Sequence, residues 1–179
     1  MAIEGYKAPG PLATARLALR ACAPADRARL LAIFRDPYVR RYLWDSRIVD
    51  GADVGAVLAA SDASFRAHGV GIWCVTERNA PRGDVIGFAG ARPVESAELE
   101  LIYGFLPAYW GRGYAFEAAR AVLERAFALG QTRVWAGTDL ENKASERVMQ
   151  RLGMRFDRRE RVGGLPQIYY VIERADFAR

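Results

Sequence analysis

The chain has 179 residues, 51% hydrophobic and 26% charged, a composition that excludes a disordered or low-complexity protein and predicts one globular domain over residues 1–179. The net charge is +5, but every basic residue except Lys7 and Lys143 is an arginine, and the arginines are scattered, so an anionic small ligand fits at least as well as a nucleic acid. No apolar run reaches the roughly 20 residues of a membrane span, and the start "MAIEGYKAPGPLATARL" has neither a basic head nor an apolar signal core, which implies a cytoplasmic protein.

Taken in chain order, "TARLALRAC" (14–22) alternates apolar and polar residues and predicts a half-buried strand. Pro24 and Asp26 open a helix over "ADRARLLAIFR", ended by Asp36-Pro37. Val54, Val57, Leu58, Ser61 and Phe65 recur at helical spacing across 50–68, and Gly69 closes that segment beside His68, a solvated histidine with no assigned role. "GIWCVTE" and "DVIGFAGARPV" predict a hairpin around "RNAPRGD", and "AELELIYGFL" (97–106) predicts the next strand. Cys22 and Cys74 have no metal-type or redox-type spacing and are expected as buried, reduced thiols. In the following helix Ala115, Ala118, Ala119, Val122, Leu123, Ala126 and Phe127 share one face, while Glu117, Arg120 and Glu124 face away. "TRVWAGT" is an apolar strand, and "NKASERVMQRLG" a helix stopped by Gly153. "RFDRRERV" and "QIYYVIER" pair around Gly163-Gly164-Leu165-Pro166. This order predicts a mixed sheet with helices on both faces.

One junction carries more than a turn needs. Between the strand at 97–106 and its helix stands Trp110-Gly111-Arg112-Gly113-Tyr114-Ala115. A helix N-terminus has unpaired N–H groups and about half a positive charge. Gly111 and Gly113 strip side chains from in front of it, Ala115 keeps the first turn small, and Arg112 adds a cation. That pattern suits a phosphate or pyrophosphate, although a strand-to-helix turn with two helpful glycines accounts for the same residues. A P-loop is excluded because this stretch has no lysine, and a Rossmann fingerprint because Phe116 stands where a third glycine or alanine belongs.

"ELIYGFLPAYWGRGYAFEA" followed by "TDLENKASERVMQRLGMRF" resembles the GNAT superfamily of acetyl-CoA-dependent N-acetyltransferases, within it the branch of ribosomal-protein N-terminal acetyltransferases. The resemblance runs from "ARLALRA" to "YYVIERADF"; the usual Gln/Arg-x-x-Gly-x-Gly/Ala carries Trp110 at its first position. It implies an α/β GNAT fold, with a mixed, mostly antiparallel, twisted sheet of about seven strands and helices on both faces. It implies acetyl-CoA as co-substrate, no metal, and a primary amine as acceptor, which is a protein N-terminus or a small molecule; the chain would be a monomer or a homodimer. Backbone amides of residues 111–115 would hold the pyrophosphate, and the pantetheine arm would pair near Phe105 and Leu106 where this strand splays from 132–138, with Gly104 as the place for a kink. Ser145 would sit by the sulfur, or be an ordinary first-turn serine. Asn142 would bond the pantetheine, cap its helix, or do both. Glu100 would take the amine proton, with Glu98 as its competitor and plain ammonium binding as an alternative role. Of Tyr169 and Tyr170, one is expected in the core and the other at the acceptor pocket, while Lys143 and Arg147 are expected in solvent, within reach of the 3′-phosphate. A non-catalytic acyl-CoA sensor is the remaining alternative; a nucleic-acid module is disfavoured by the lack of a basic recognition helix.

Overall fold

The structure, a computed structural model, describes residues 10–80, 83–94 and 98–177. Lys7, part of the predicted turn at 78–84 and the first residue of the 97–106 strand lie outside them. The described strands join one sheet of eight, in the order β1-β2-β3-β4-β5-β6-β8-β7. These are β1 (Leu12–Ala13), β2 (Leu17–Ala21), β3 (Ile72–Glu77), β4 (Gly87–Pro93), β5 (Leu99–Phe105), β6 (Arg133–Asp139), β7 (Arg155–Val162) and β8 (Leu165–Glu173). All neighbours are antiparallel except β5 and β6. A parallel pair needs a crossover, and the helix α4 (Tyr114–Ala128) supplies it. No described helix is long and apolar enough to cross a membrane.

Strand alternation sorts the core into two layers. Trp73, Val75, Ala89, Leu99, Leu101, Val134 and Ile168 pack with α4 and with α5 (Lys143–Arg151). Ile72, Cys74 and Phe88 face the other way, against α1 (Arg27–Arg35), α2 (Pro37–Leu43) and α3 (Gly51–His68). Gly69 closes α3 in the left-handed conformation, φ 69°, as its position after His68 predicts.

Four expectations change. Asp36-Pro37 ends α1 but also starts α2. The Asp36 carboxylate accepts from the N–H groups of Tyr38 and Val39 at 3.0 and 3.2 Å, and proline at the first helical position loses no needed donor. Cys22 and Cys74 are bonded to each other rather than reduced. Cys22 N–H pairs with Ile72 O beyond the end of β2, which brings the two Cα atoms to 5.1 Å. Gly104 is no bulge: β4 and β5 stay in register from Leu99 to Phe105. A Cβ there would lie 2.6 Å from the Phe88 ring, so the glycine serves a close approach. Glu117 does not face away either; it accepts from Thr14 Oγ1 at 2.5 Å and from the Arg16 N–H at 2.8 Å, tying α4 to the β1–β2 turn.

Candidate active site

The site begins where the sheet opens. The last rung shared by β5 and β6 is Glu100 opposite Trp135. Beyond it β5 continues along β4 as far as Phe105, while β6 continues along β8 as far as Asp139. A cavity of about 830 Å³ fills the gap. Leu101, Tyr103 and Phe105 line it from one face of β5, and Ile102 and Gly104 from the other, so it passes through the sheet. The α2 residues Tyr38, Tyr42 and Leu43 form one wall, and residues of α4 and α5 the opposite one.

Backbone direction along β5 follows from one bond. Leu106 N–H donates to Ile86 O at 3.0 Å, so even-numbered residues address β4 and odd-numbered ones address the opening. Leu106 therefore has its amide turned away from the slot and packs toward the α1–α3 layer. Phe105 does face the slot, but its carbonyl already accepts from the Trp110 indole N–H at 2.6 Å. Leu101, Tyr103 and Phe105 all turn their N–H groups toward the opening.

At the slot's mouth lies the glycine turn. Gly111 and Gly113 have φ of 72° and 77°, and a Cβ on Gly111 would meet nothing within 4 Å. Gly113 is the N-cap of α4, and no side chain caps that helix. An open, uncapped helix start is what a pyrophosphate needs, so the residues present fit the group that the sequence implies. Tyr114 and Ala115 begin the helix; the Tyr114 hydroxyl donates to Glu77 at 2.6 Å. Arg112 lies over the Tyr109 ring and 3.7 Å from Glu77, beside the mouth rather than in the lining. Two further arginines converge there: a Cβ on Gly113 would stand 3.5 Å from Arg16 Nη2 and 3.9 Å from Arg151 Nη1. The sequence carries no local signal for either, since one comes from the β1–β2 turn and the other from the end of α5.

On the α5 side, Asn142 accepts from Ser145 N–H at 3.2 Å, a true N-cap, and donates to Thr138 Oγ1 at 3.0 Å. Ser145 Oγ lies 2.8 Å from the Tyr103 hydroxyl. Burial pushes that phenol up to about 12 against the opposing effect of the Ser145 bond. Tyr103 was missed in the sequence, although its alternation with Leu101 and Phe105 places it on the helix-facing side. Lys143 and Arg147 also line the slot, and Lys143 pairs with Glu146 at 2.8 Å.

Glu100 lies on the opposite face of β5 from Tyr103. Its Oε2 accepts from Arg92 Nε at 2.7 Å. Glu98, two residues further from the opening, accepts from the Trp135 indole and from Arg133. Tyr169 belongs to the Glu100 face, its ring against Gly137 and its hydroxyl donating to Gln167 at 2.8 Å. Burial first, then Glu160 and Glu100, push it up to about 12. Tyr170 is the buried one of the two tyrosines.

A model of the acetyltransferase (GNAT) domain matches residues 16–155. The chain belongs to the GNAT acetyltransferase family. The family match takes in the glycine turn, the slot and α5, and stops at the start of β7. This GNAT chain is 31% identical over 164 residues to the uncharacterized protein YkkB of Bacillus subtilis, covering 89% of this chain and 93% of YkkB. An acetyltransferase from Agrobacterium tumefaciens superposes with a TM-score of 0.80 at 24% identity, over 97% of this chain and 100% of that one. RimL, a ribosomal L7/L12 alpha-N-protein acetyltransferase solved in complex with coenzyme A, gives a TM-score of 0.77 at 14% identity, over 92% and 98% of the two chains. At such identities the solved structures show the fold, a GNAT sheet with helices on both faces.

Proposed function

We propose that this GNAT protein transfers the acetyl group of acetyl-CoA directly to a primary amine, and that the amine is a protein or peptide N-terminus. The observation that carries this reading is the through-sheet slot, which joins an open, uncapped helix start to Ser145 and Tyr103 and begins just past Glu100, which stands on the last shared rung outside the lining. Acetyl-CoA supplies an activated thioester, and RimL, of the same fold, holds coenzyme A. The N–H groups of residues 111–115 with Arg16 and Arg151 would bind the pyrophosphate. Slot-facing N–H groups of β5 would pair with the pantetheine arm and donate to the thioester oxygen as charge develops there. Glu100, on the last shared rung, would accept the amine proton directly or through water, with Glu98 displaced two residues from the chemistry. The new C–N bond forms as the C–S bond breaks, its electron pair passing to sulfur. Ser145 would donate a hydrogen bond to that thiolate, and Asn142 would fix the helix start that carries the serine.

An α-amine suits this equipment. Its pKa is about 7.7–8.0 against about 10.4 for a lysine, so it is neutral hundreds of times more often at pH 7. With such an amine, a carboxylate base has less to do. The test follows thiol release from acetyl-CoA with peptides beginning with Ser or Ala, with N-terminally blocked peptides containing lysine, and with small amines. Fastest turnover on the free N-termini is expected. Faster reaction of blocked peptides or small amines would defeat the acceptor assignment, and tight acetyl-CoA binding without thiol release on any amine would replace the enzyme with a sensor.

A further inference from the structure

Tyr103 stands between the two halves of the slot. Its ring comes from β5, and its hydroxyl reaches α5, 2.8 Å from Ser145 Oγ and 3.2 Å from the Ser145 carbonyl oxygen. Either hydroxyl can donate across the shorter contact, whereas the carbonyl can only accept; a phenolic proton shared between the two Ser145 oxygens in a three-centre bond satisfies both contacts at once. With the tyrosine donating, Ser145 Oγ becomes an acceptor and its own proton is left to point elsewhere. A serine in a first helical turn commonly folds back onto its own helix backbone; here a tyrosine from another element takes its hydroxyl instead. The backbone end of Ser145 is fixed independently by Asn142, itself bonded to Thr138. Both Tyr103 and Ser145 line the slot.

We propose that Tyr103 is a positioning residue, whose hydroxyl donates to Ser145 and turns the serine proton into the slot, where it hydrogen-bonds the coenzyme A thiolate. This rests on the role of Ser145 given above. No proton leaves Tyr103: the electron pair of the broken C–S bond stays on sulfur, Ser145 shares its proton with it, and the thiolate is protonated from solvent on release. Burial, by holding the phenol's proton, keeps Tyr103 a donor while the thiolate forms.

The readout besides turnover is the binding of free coenzyme A, measured by calorimetry at pH 7 and pH 9. A hydrogen bond to a charged group favours the thiolate, so wild-type affinity is expected to rise about tenfold between the two. Tyr103→Phe is expected to bind like wild type at pH 7 but to lose the rise, and to lower kcat about tenfold with KM for acetyl-CoA within about twofold. A variant with 3-fluorotyrosine at position 103 keeps the donor and is expected to keep the rise, so the proposal stays testable if Tyr103→Phe does not fold. A wild-type rise in Tyr103→Phe, its loss in the fluorotyrosine variant, or no rise in the wild-type protein overturns the proposal. Ser145→Ala separates the two levels. If it alone abolishes the rise, Tyr103 is dismissed and Ser145 keeps its role; if it too leaves the rise intact, the role of Ser145 falls with it.

Discussion

At the scale of single residues, the glycine turn and Glu100 make the sharpest demands. Gly113 caps α4 at φ 77°, where an aspartate is tolerated better than most residues and favours the helix dipole. Gly113→Asp is expected to fold at a cost of roughly 1–2 kcal/mol for its left-handed backbone. It places a negative charge where the pyrophosphate belongs. In wild-type protein, acetyl-CoA at about 100 times its dissociation constant is expected to add about 2.7 kcal/mol to stability. The variant is expected to lose that gain, as thermal melts with and without acetyl-CoA will show; a folded variant with the full shift would move the site elsewhere. Glu100→Gln keeps the shape of the side chain and removes the base. Turnover is expected to fall at least tenfold, and the acidic limb of the pH–rate profile to change. Unchanged turnover would remove Glu100 from the mechanism.

At the scale of elements, the junctions hold more than the helices they join. Arg20 of β2 clamps Asp26 ahead of α1 with two bonds, at 2.7 and 2.6 Å, and Ala23 N–H adds a third at 2.8 Å. The Arg20 bond, ahead of burial that opposes it, holds the Asp26 carboxyl below its ordinary value. A depressed folded pKa contributes stability above the unfolded value of about 3.9, and that stability is lost as pH falls through the folded value. Asp26→Asn is expected to cost roughly 2 kcal/mol at pH 7, with the difference from wild type shrinking below about pH 4. Denaturant midpoints measured from pH 7 down to pH 2 check this, and a constant difference would deny the ion pair its role. The neighbouring α2 escaped the sequence because Pro37 reads equally as a stop and as a first helical residue. Its seven residues were too few to show a period, yet they supply Tyr38 and Tyr42 to the slot.

At the scale of the whole molecule, the Cys22–Cys74 bond closes a loop of 52 residues that contains α1, α2 and α3, the layer bearing the slot's α2 wall. Reduction is expected to lower stability by about 4 kcal/mol at most. Thiol titration of denatured, unreduced protein is expected to find neither cysteine free; two reactive thiols would dissolve the bond and its contribution. The sequence by itself determined most of the elements and the place of the glycine turn. Alternation along "TARLALRAC", the apolar face of 115–127 and the two glycines before the helix start are local, because strand period, helix period and turn composition are properties of a few consecutive residues. The family motif, being one such stretch followed by another, was legible for the same reason. The tertiary structure alone decided which groups meet. The convergence of Arg16 and Arg151 on Gly113, the disulfide, and the Tyr103–Ser145 contact across 42 residues all join elements distant in the chain. Such meetings are fixed by strand register and by packing on a shared sheet, and no period or spacing along the chain records them.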